Sequence, residues 1–171
     1  MLSEHKIIAA VAVRLIKKDK WPIAEISAKK RYHRFIKNKL SQNGIPSNII
    51  RKIRFKTKGK DIIARPKFGT GRTQKEVIIE AKGGTYLYAI YTAIGQMVCS
   101  LDTESSYTWF GFAFPLKWKP HIRRYLMKDD KIKPIINNII KRCSQTKRRV
   151  FFYFVDENEN VIRETWKQTL S

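Results

Sequence analysis

The chain has 171 residues, of which 43% are hydrophobic, so it is long enough for one domain with a real core and too apolar to be disordered throughout. Its 36 Lys and Arg against 14 Asp and Glu give a formal net charge of +22, which indicates a polyanionic partner, nucleic acid before a membrane surface. Cys99 and Cys143 lack metal-ligand spacing, which argues against a disulfide framework and a zinc knuckle.

The first residues do not resemble a secretory signal. Arg14 interrupts the apolar stretch, and Glu4 and His5 stand where such a signal carries Lys or Arg. No apolar run approaches the ~18 to 20 residues of a membrane span. We therefore expect a soluble, cytoplasmic protein with two reduced, mostly buried thiols. A merely soluble basic surface remains an alternative explanation of the charge.

The chain begins with a predicted helix and strand. Ser3 precedes an apolar pattern with helical spacing, which predicts an amphipathic helix from Glu4 to Lys18. Trp21 to Ser27 is a candidate strand.

The segment from Ala28 to Lys60 is rich in Lys and Arg and contains no acidic residue. An apolar stripe through Tyr32 to Leu40 predicts one helix, and Pro46 begins a second short helix that extends through Ile53. Two basic helices joined by a turn resemble a helix-turn-helix, although solvated basic helices give the same pattern. We expect this segment to bind DNA phosphates through Lys29, Lys30, Arg31, Arg34, Lys37, Arg51, Lys52, Arg54, Lys56 and Lys58.

Two short strands should form a hairpin. Lys60 to Ala64 opens with Asp61, a loop from Arg65 to Lys75 follows, and Val77 to Ala81 is a β-branched apolar run closed by Gly83 and Gly84. Alternation along a strand puts Glu80 and Lys82 on one face. Buried charges at a strand end are costly without partners, and a metal with a substrate phosphate would supply them. An ion pair at a sheet edge, and a turn-capping role for Asp61 after Gly59, are the structural alternatives.

The remaining elements complete an α/β fold. We predict a helix over Thr85 to Leu101, a strand over Tyr107 to Phe114 whose aromatic residues are mostly core, helices over Pro120 to Met127 and Ile132 to Cys143, and a hairpin of Arg149 to Val155 with Val161 to Trp166. A mixed central sheet flanked by helices follows from this order of elements.

Four stretches carry a resemblance to a known family. They are Asp61-Ile62-Ile63-Ala64, then Ile78-Ile79-Glu80-Ala81-Lys82-Gly83-Gly84, Ile94-Gly95-Gln96, and the aromatic strand that ends at Pro115. In this order, after a helix with an early Glu, they resemble the PD-(D/E)XK nuclease superfamily, closest to its branch of restriction and homing endonucleases and Holliday-junction resolvases. The resemblance covers Ser3 to Pro115, about two thirds of the chain. It departs from the pattern at Lys60, where the motif has Pro, and in the long basic stretch 28–60.

The resemblance implies a role for each matching position. Asp61 and Glu80 would be the metal carboxylates, with the Ala81 carbonyl as a further ligand. Lys82 would position or activate the attacking water. Gln96 would support the catalytic site, and Glu4 would be an additional or indirect ligand of Mg²⁺. Residues 1–171 would then form a single nuclease domain with a restriction-endonuclease-like core, a basic DNA-binding insertion over 28–60 and a C-terminal hairpin.

The function implied by the resemblance is that of a Mg²⁺-dependent DNA endonuclease, a phosphodiester hydrolase that cuts duplex DNA. A single site of this type cuts one strand, so we expect a homodimer. The alternatives are a non-catalytic nucleic-acid-binding protein that retains the fold, and an RNA-processing nuclease.

Overall fold

A computed structural model describes residues 2–65, 76–83, 86–103, 108–145 and 149–170. The helices are α1 (Glu4–Lys17), α2 (Lys30–Gln42), α3 (Ser47–Lys52), α4 (Tyr86–Thr103), α5 (Lys119–Lys128), α6 (Ile132–Gln145) and α7 (Trp166–Leu170). The strands are β1 (Ile23–Ser27), β2 (Arg54–Lys56), β3 (Ile62–Ala64), β4 (Glu76–Ala81), β5 (Thr108–Pro115), β6 (Val150–Val155) and β7 (Val161–Thr165).

The described strands form one seven-stranded mixed sheet in the order β2-β1-β3-β4-β5-β6-β7. Strands β1, β3 and β4 are antiparallel neighbours, β4, β5 and β6 run parallel, and β7 returns antiparallel to β6. Strand β4 therefore lies at the centre of the sheet. The α/β class and the mixed sheet flanked by helices are confirmed.

Alternation along β4 divides the core into two layers. Val77, Ile79 and Ala81 pack in the cluster that contains α1 and α2. The other face of the neighbouring strands presents Phe112 and its aromatic neighbours to α4, α5 and α6. Glu80 alternates with Ile79 and Ala81, so its carboxylate lies on the α4 side of the sheet. The polar site therefore lies at the end of β4, next to the apolar layer that packs against α4, α5 and α6.

Most predicted elements are present within two or three residues of their expected ends. The hairpin of Asp61 with Glu80 is confirmed by the antiparallel pairing of Ile62 with Ile79. Helix α7 was not predicted from the sequence. The prediction that both thiols are mostly buried is wrong for Cys99, which is exposed on α4, and correct for Cys143. Outside the described residues lie the predicted loop, except for Arg65, and also Gly84, Thr85 and Tyr107.

The basic segment 28–60 is not entirely helical. It contains α2 and α3, as expected, and also β2, which pairs in parallel with β1 at the edge of the sheet. This pairing has a physical cause in Glu25, a buried carboxylate on β1 that lies 2.8 Å from Arg54 Nη2 and 2.7 Å from Lys56 Nζ. A buried charge needs such partners, so the two basic residues hold the edge strand to the sheet.

Candidate active site

Asp61 and Glu80 meet at one end of the central hairpin. Asp61 directly precedes β3, and the register that pairs Ile62 with Ile79 brings Asp61 alongside Glu80. Two backbone hydrogen bonds fix Asp61: the Ala81 N–H donates to its Oδ2 at 2.7 Å, and the Ser27 N–H donates to its carbonyl oxygen at 2.9 Å. Both side chains are nearly buried, 13% exposed for Asp61 and 8% for Glu80. The carboxylate of Asp61 therefore bonds across the hairpin, which argues against the turn-capping alternative.

Lys82 lies two residues after Glu80 and on the same face of the sheet, as predicted. Its ammonium is 3.6 Å from Glu80 Oε2 and 3.9 Å from Asp61 Oδ2. Its backbone N–H donates to the Ala113 carbonyl at 2.9 Å, which ties the end of β4 to β5. Lys82 and Glu80 therefore form an ion pair. The structural alternative places such a pair at a sheet edge, whereas β4 is the middle strand of the described sheet.

Lys60 is a site residue that the sequence patterns did not predict. Its ammonium lies 3.9 Å from Glu80 Oε1 and donates to the Ser100 hydroxyl on α4 at 2.6 Å. One sign of this role is visible in the sequence, because Lys60 directly precedes Asp61. Glu80 is therefore flanked by two ammonium groups.

Burial raises the pKa values of both carboxyl groups. The pKa of Asp61 rises from 3.8 to about 7, mainly through desolvation and then through the charge of Glu80; Lys82 and the Ala81 N–H oppose the rise. Desolvation also raises the pKa of Glu80, against the opposing effect of Lys82 and Lys60. Because both pKa values stay raised, the ammonium groups of Lys60 and Lys82 compensate only part of the negative charge of the two carboxylates. A divalent cation would supply the missing compensation.

Glu4 comes near this site because α1 begins against the end of β4. A Cβ at Gly83 would lie 2.9 Å from the Glu4 nitrogen and 3.1 Å from the Leu2 carbonyl oxygen, so this close approach requires glycine. Glu4 is exposed and borders a pocket of about 430 Å³ together with Lys82, Gly83 and Thr92. Its charge contributes to the raised pKa of Asp61.

Gln96 lies on the face of α4 that covers the site. It stands one turn after Thr92, which borders the pocket with Lys82, and one turn before Ser100, which bonds Lys60. Its Oε1 atom is buried and has no hydrogen-bond partner among the residues that the structure describes. A buried acceptor without a donor is costly, so a donor from a ligand or a bound water would be favourable there.

The donor set fits Mg²⁺, which proteins commonly bind through one or two carboxylates with water and substrate phosphates completing the shell. Asp61 and Glu80 supply the carboxylates, and the Ala81 backbone is held beside Asp61 by the bond to its N–H. Over the described ranges, no three His, Cys, Asp or Glu side chains group closely enough to hold a metal ion. Glu4 is therefore not part of a three-carboxylate cluster.

The ten predicted DNA-binding residues are all exposed. They divide into three groups by their positions and contacts. Arg54 and Lys56 are paired with Glu25, so part of their charge serves the edge strand. Lys58 lies in the bend after β2, where its carbonyl accepts a hydrogen bond from the Ser27 hydroxyl. The other seven lie on or beside α2 and α3, where the Lys37 ammonium covers the Phe55 ring at 4.8 Å and the Arg31 guanidinium covers Tyr32 at 4.8 Å. The structure thus offers a basic surface on the side of the sheet that carries α1 and α2.

No protein-family model, no curated protein and no solved structure matches this chain. Within the described stretches, no helix has both the length and the apolar character that crossing a membrane requires.

Proposed function

We propose that the chain is a cytoplasmic, metal-dependent DNA endonuclease of the PD-(D/E)XK type. The observation that carries the proposal is the convergence of Asp61, Glu80 and Lys82 at the ends of two paired central strands, with the Lys82 ammonium within 3.9 Å of both carboxylates. The order α1, β1, β3, β4, α4, β5 supports it, because this is the order of elements that the resemblance implies. The basic surface 28–60 would bind the DNA.

Asp61 and Glu80 would hold Mg²⁺, with the Ala81 carbonyl and Glu4 as further candidates for direct or water-mediated contact. When bound, the ion would neutralise charge on the phosphoryl oxygens and lower the pKa of a coordinated water. The chain's own residues fix the geometry: the Ala81 N–H holds one oxygen of Asp61, and Lys60 and Lys82 each approach a different oxygen of Glu80.

Lys82 would act on the scissile phosphate. Its side chain is 14% exposed and borders the pocket that Glu4 and Thr92 also line, so it can reach a phosphate from the rim. There it would orient the attacking water or stabilise the developing charge on a phosphoryl oxygen. Gln96 would offer its unpaired Oε1 to a water or a substrate donor. Because one such site cuts one strand, we propose that the enzyme acts on duplex DNA as a homodimer.

A non-catalytic nucleic-acid-binding protein is the second candidate. It is favoured by the absence of a third carboxylate beside Asp61 and Glu80 in the described residues. In that case Lys60 and Lys82 would neutralise the two carboxylates permanently, and no metal would be required.

Incubation with supercoiled plasmid separates the two candidates. The proposed enzyme nicks or linearises the plasmid with Mg²⁺ and not with EDTA, and the Glu80→Gln variant loses this activity. A structured RNA tested in parallel distinguishes an RNA-processing nuclease. Tight plasmid binding without metal-dependent cleavage of any tested substrate would reject the endonuclease in favour of the binding protein.

A further inference from the structure

Tyr88 is an unusually exposed aromatic residue at the rim of the candidate site. Its side chain is 79% exposed, the highest value among the exposed large apolar residues of the described chain. Within that part of the chain, its ring and hydroxyl make no ring contact or hydrogen bond. Tyr91, on the same helix, differs: its hydroxyl donates to Asp129 at 3.2 Å and its ring meets Tyr125 edge-on. Tyr91 thus has contacts to α5 and to Asp129 that Tyr88 does not share among the described residues.

The position of Tyr88 connects it to the proposed chemistry. It borders the pocket of about 430 Å³ that is also lined by Glu4, Lys82 and Thr92. The Thr92 hydroxyl donates to the Tyr88 carbonyl at 2.8 Å, one helical turn apart, and both residues border the pocket. A tyrosine ring is positioned by only two side-chain torsions, so ordering it against a nucleobase costs little conformational entropy. Tyr88 is therefore an exposed aromatic face on the same pocket as the Lys82 ammonium that would contact the scissile phosphate.

An aromatic side chain can stack on a nucleobase only if the base has a free face. Within an intact duplex the neighbouring bases cover both faces, whereas an unpaired base can leave the stack and lie on a side chain. The pocket has a volume in the range of small-ligand sites, which accommodates one nucleotide. The net charge of +22 of the whole chain favours a polyanionic partner, and Lys82 is the basic residue of this pocket.

We propose that Tyr88 stacks on an unpaired nucleobase next to the scissile phosphate, so that the substrate class is DNA whose duplex is interrupted by an unpaired nucleotide. This proposal rests on the proposed nuclease function and specifies its substrate. Uniform duplex would bind through the basic surface alone, without the contact to Tyr88.

Fluorescence anisotropy with two labelled 30-base-pair DNAs tests the proposal. They share one sequence, and one carries a single unpaired nucleotide at its centre; Ca²⁺ replaces Mg²⁺ to prevent cleavage. Wild-type protein should bind the interrupted DNA more tightly. Tyr88→Leu should weaken that binding roughly 5- to 150-fold, which corresponds to the loss of one base–aromatic stack, and change binding of the paired DNA less than about twofold. Tyr88→Phe keeps the ring and should bind like wild type.

Tyr91→Leu is the matched control, because it removes a tyrosine one turn away that faces α5 instead of the pocket. It should leave the preference for the interrupted DNA unchanged. Equal binding of the two DNAs by wild-type protein, or a preference that survives Tyr88→Leu, would overturn the proposal. If plasmid is still cleaved with Mg²⁺ in that case, only the role of Tyr88 is rejected. A protein that binds neither DNA would reject the proposed function as well.

Discussion

Lys60 places its ammonium 3.9 Å from Oε1 of Glu80, whereas Lys82 approaches the other carboxylate oxygen, Oε2. Lys60 is held there by its hydrogen bond to Ser100 on the helix that covers the site. The site therefore sets two ammonium groups against two carboxylates. The two ammonium groups offset part of the cost of holding two acidic side chains side by side in a nearly buried position.

Replacing Lys60 by Gln should destabilise the apo protein. The amide can keep a hydrogen bond to Ser100, but Glu80 loses one of its two cations. We expect the free energy of unfolding at pH 8 to fall by about 1 kcal/mol, a modest value because Lys60 is partly exposed to solvent. The loss should shrink as the pH falls through the raised pKa of Glu80, where the carboxylate gains a proton. Denaturant unfolding at several pH values measures it.

Lys58→Gln is the control for this experiment, since the Lys58 side chain is exposed and the same charge is removed two residues away. Equal destabilisation by the two variants would show that the Lys60–Glu80 ion pair contributes nothing of its own.

Asp61→Asn should stabilise the apo protein at alkaline pH. The pKa of Asp61 is about 7 in the folded chain and near 3.8 when exposed, so the folded state binds the proton more tightly. Its contribution to stability is complete below pH 3.8 and is lost as the pH rises through 7. Without metal, wild-type stability should therefore fall across this window. In the variant only Glu80 keeps a raised pKa at this site, so the fall should be smaller and the variant should be more stable at pH 8 by about 1 to 3 kcal/mol.

Thermal unfolding in EDTA from pH 4 to pH 8 measures this difference. Asp130→Asn, at an exposed position between α5 and α6, should keep the wild-type pH dependence. The assignment would be wrong if Asp61→Asn followed the wild-type curve as well.

The salt dependence of DNA binding tests the basic surface. Lys30, Arg34 and Lys37 lie on one face of α2 and are exposed. Changing all three to Gln should flatten the plot of log K against log salt by up to roughly three units, about 0.9 for each phosphate that the variant no longer neutralises. The control changes Lys131, Lys133 and Lys141 to Gln, which removes the same charge from exposed positions at or near α6. If the control flattened the slope and the α2 variant did not, the DNA surface would lie on the α6 side.

Sequence patterns predict those features of the fold that depend on local periodicity. The β-branched run that ends at Ala81 identifies the central strand, and alternation places Glu80 and Lys82 together. Strand β2 could not be predicted in this way, because Arg54 and Lys56 continue a basic run. Their partner Glu25 lies on β1, which is adjacent in the sheet but far away in the sequence. A three-residue edge strand carries too little periodicity to be recognised.

The residues of the candidate site could likewise be predicted only where a local sequence pattern indicates them. Its acidic and basic residues can be chosen from the motif, whereas the contacts of Lys60 depend on tertiary packing. Ser100 is 40 residues away in sequence, and the hydrogen bond exists only because α4 covers this face of β3 and β4. The approach of α1 to Gly83, which brings Glu4 to the pocket, likewise depends on packing between distant segments.

Glu80→Gln should abolish cleavage through loss of metal affinity. The amide keeps the shape of the side chain but offers a weaker ligand to a hard cation. Raising Mg²⁺ well above the wild-type requirement should restore part of the rate. Lys82→Ala, which removes no ligand, should gain nothing from added Mg²⁺. A metal titration of the cleavage rate distinguishes the two variants, and identical responses would contradict their separate roles.

The most direct test of the account is the comparison of cleavage and binding in Lys82→Ala. The lysine would act on the water or on the phosphoryl charge, while many exposed basic groups supply the binding energy. We predict that single-turnover cleavage of a DNA cut by the wild-type protein falls at least ~100-fold in this variant, the loss expected for an electrostatic catalytic group, while the Kd measured in Ca²⁺ stays within a few-fold. A folded Lys82→Ala protein that cleaves at the wild-type rate would contradict the account.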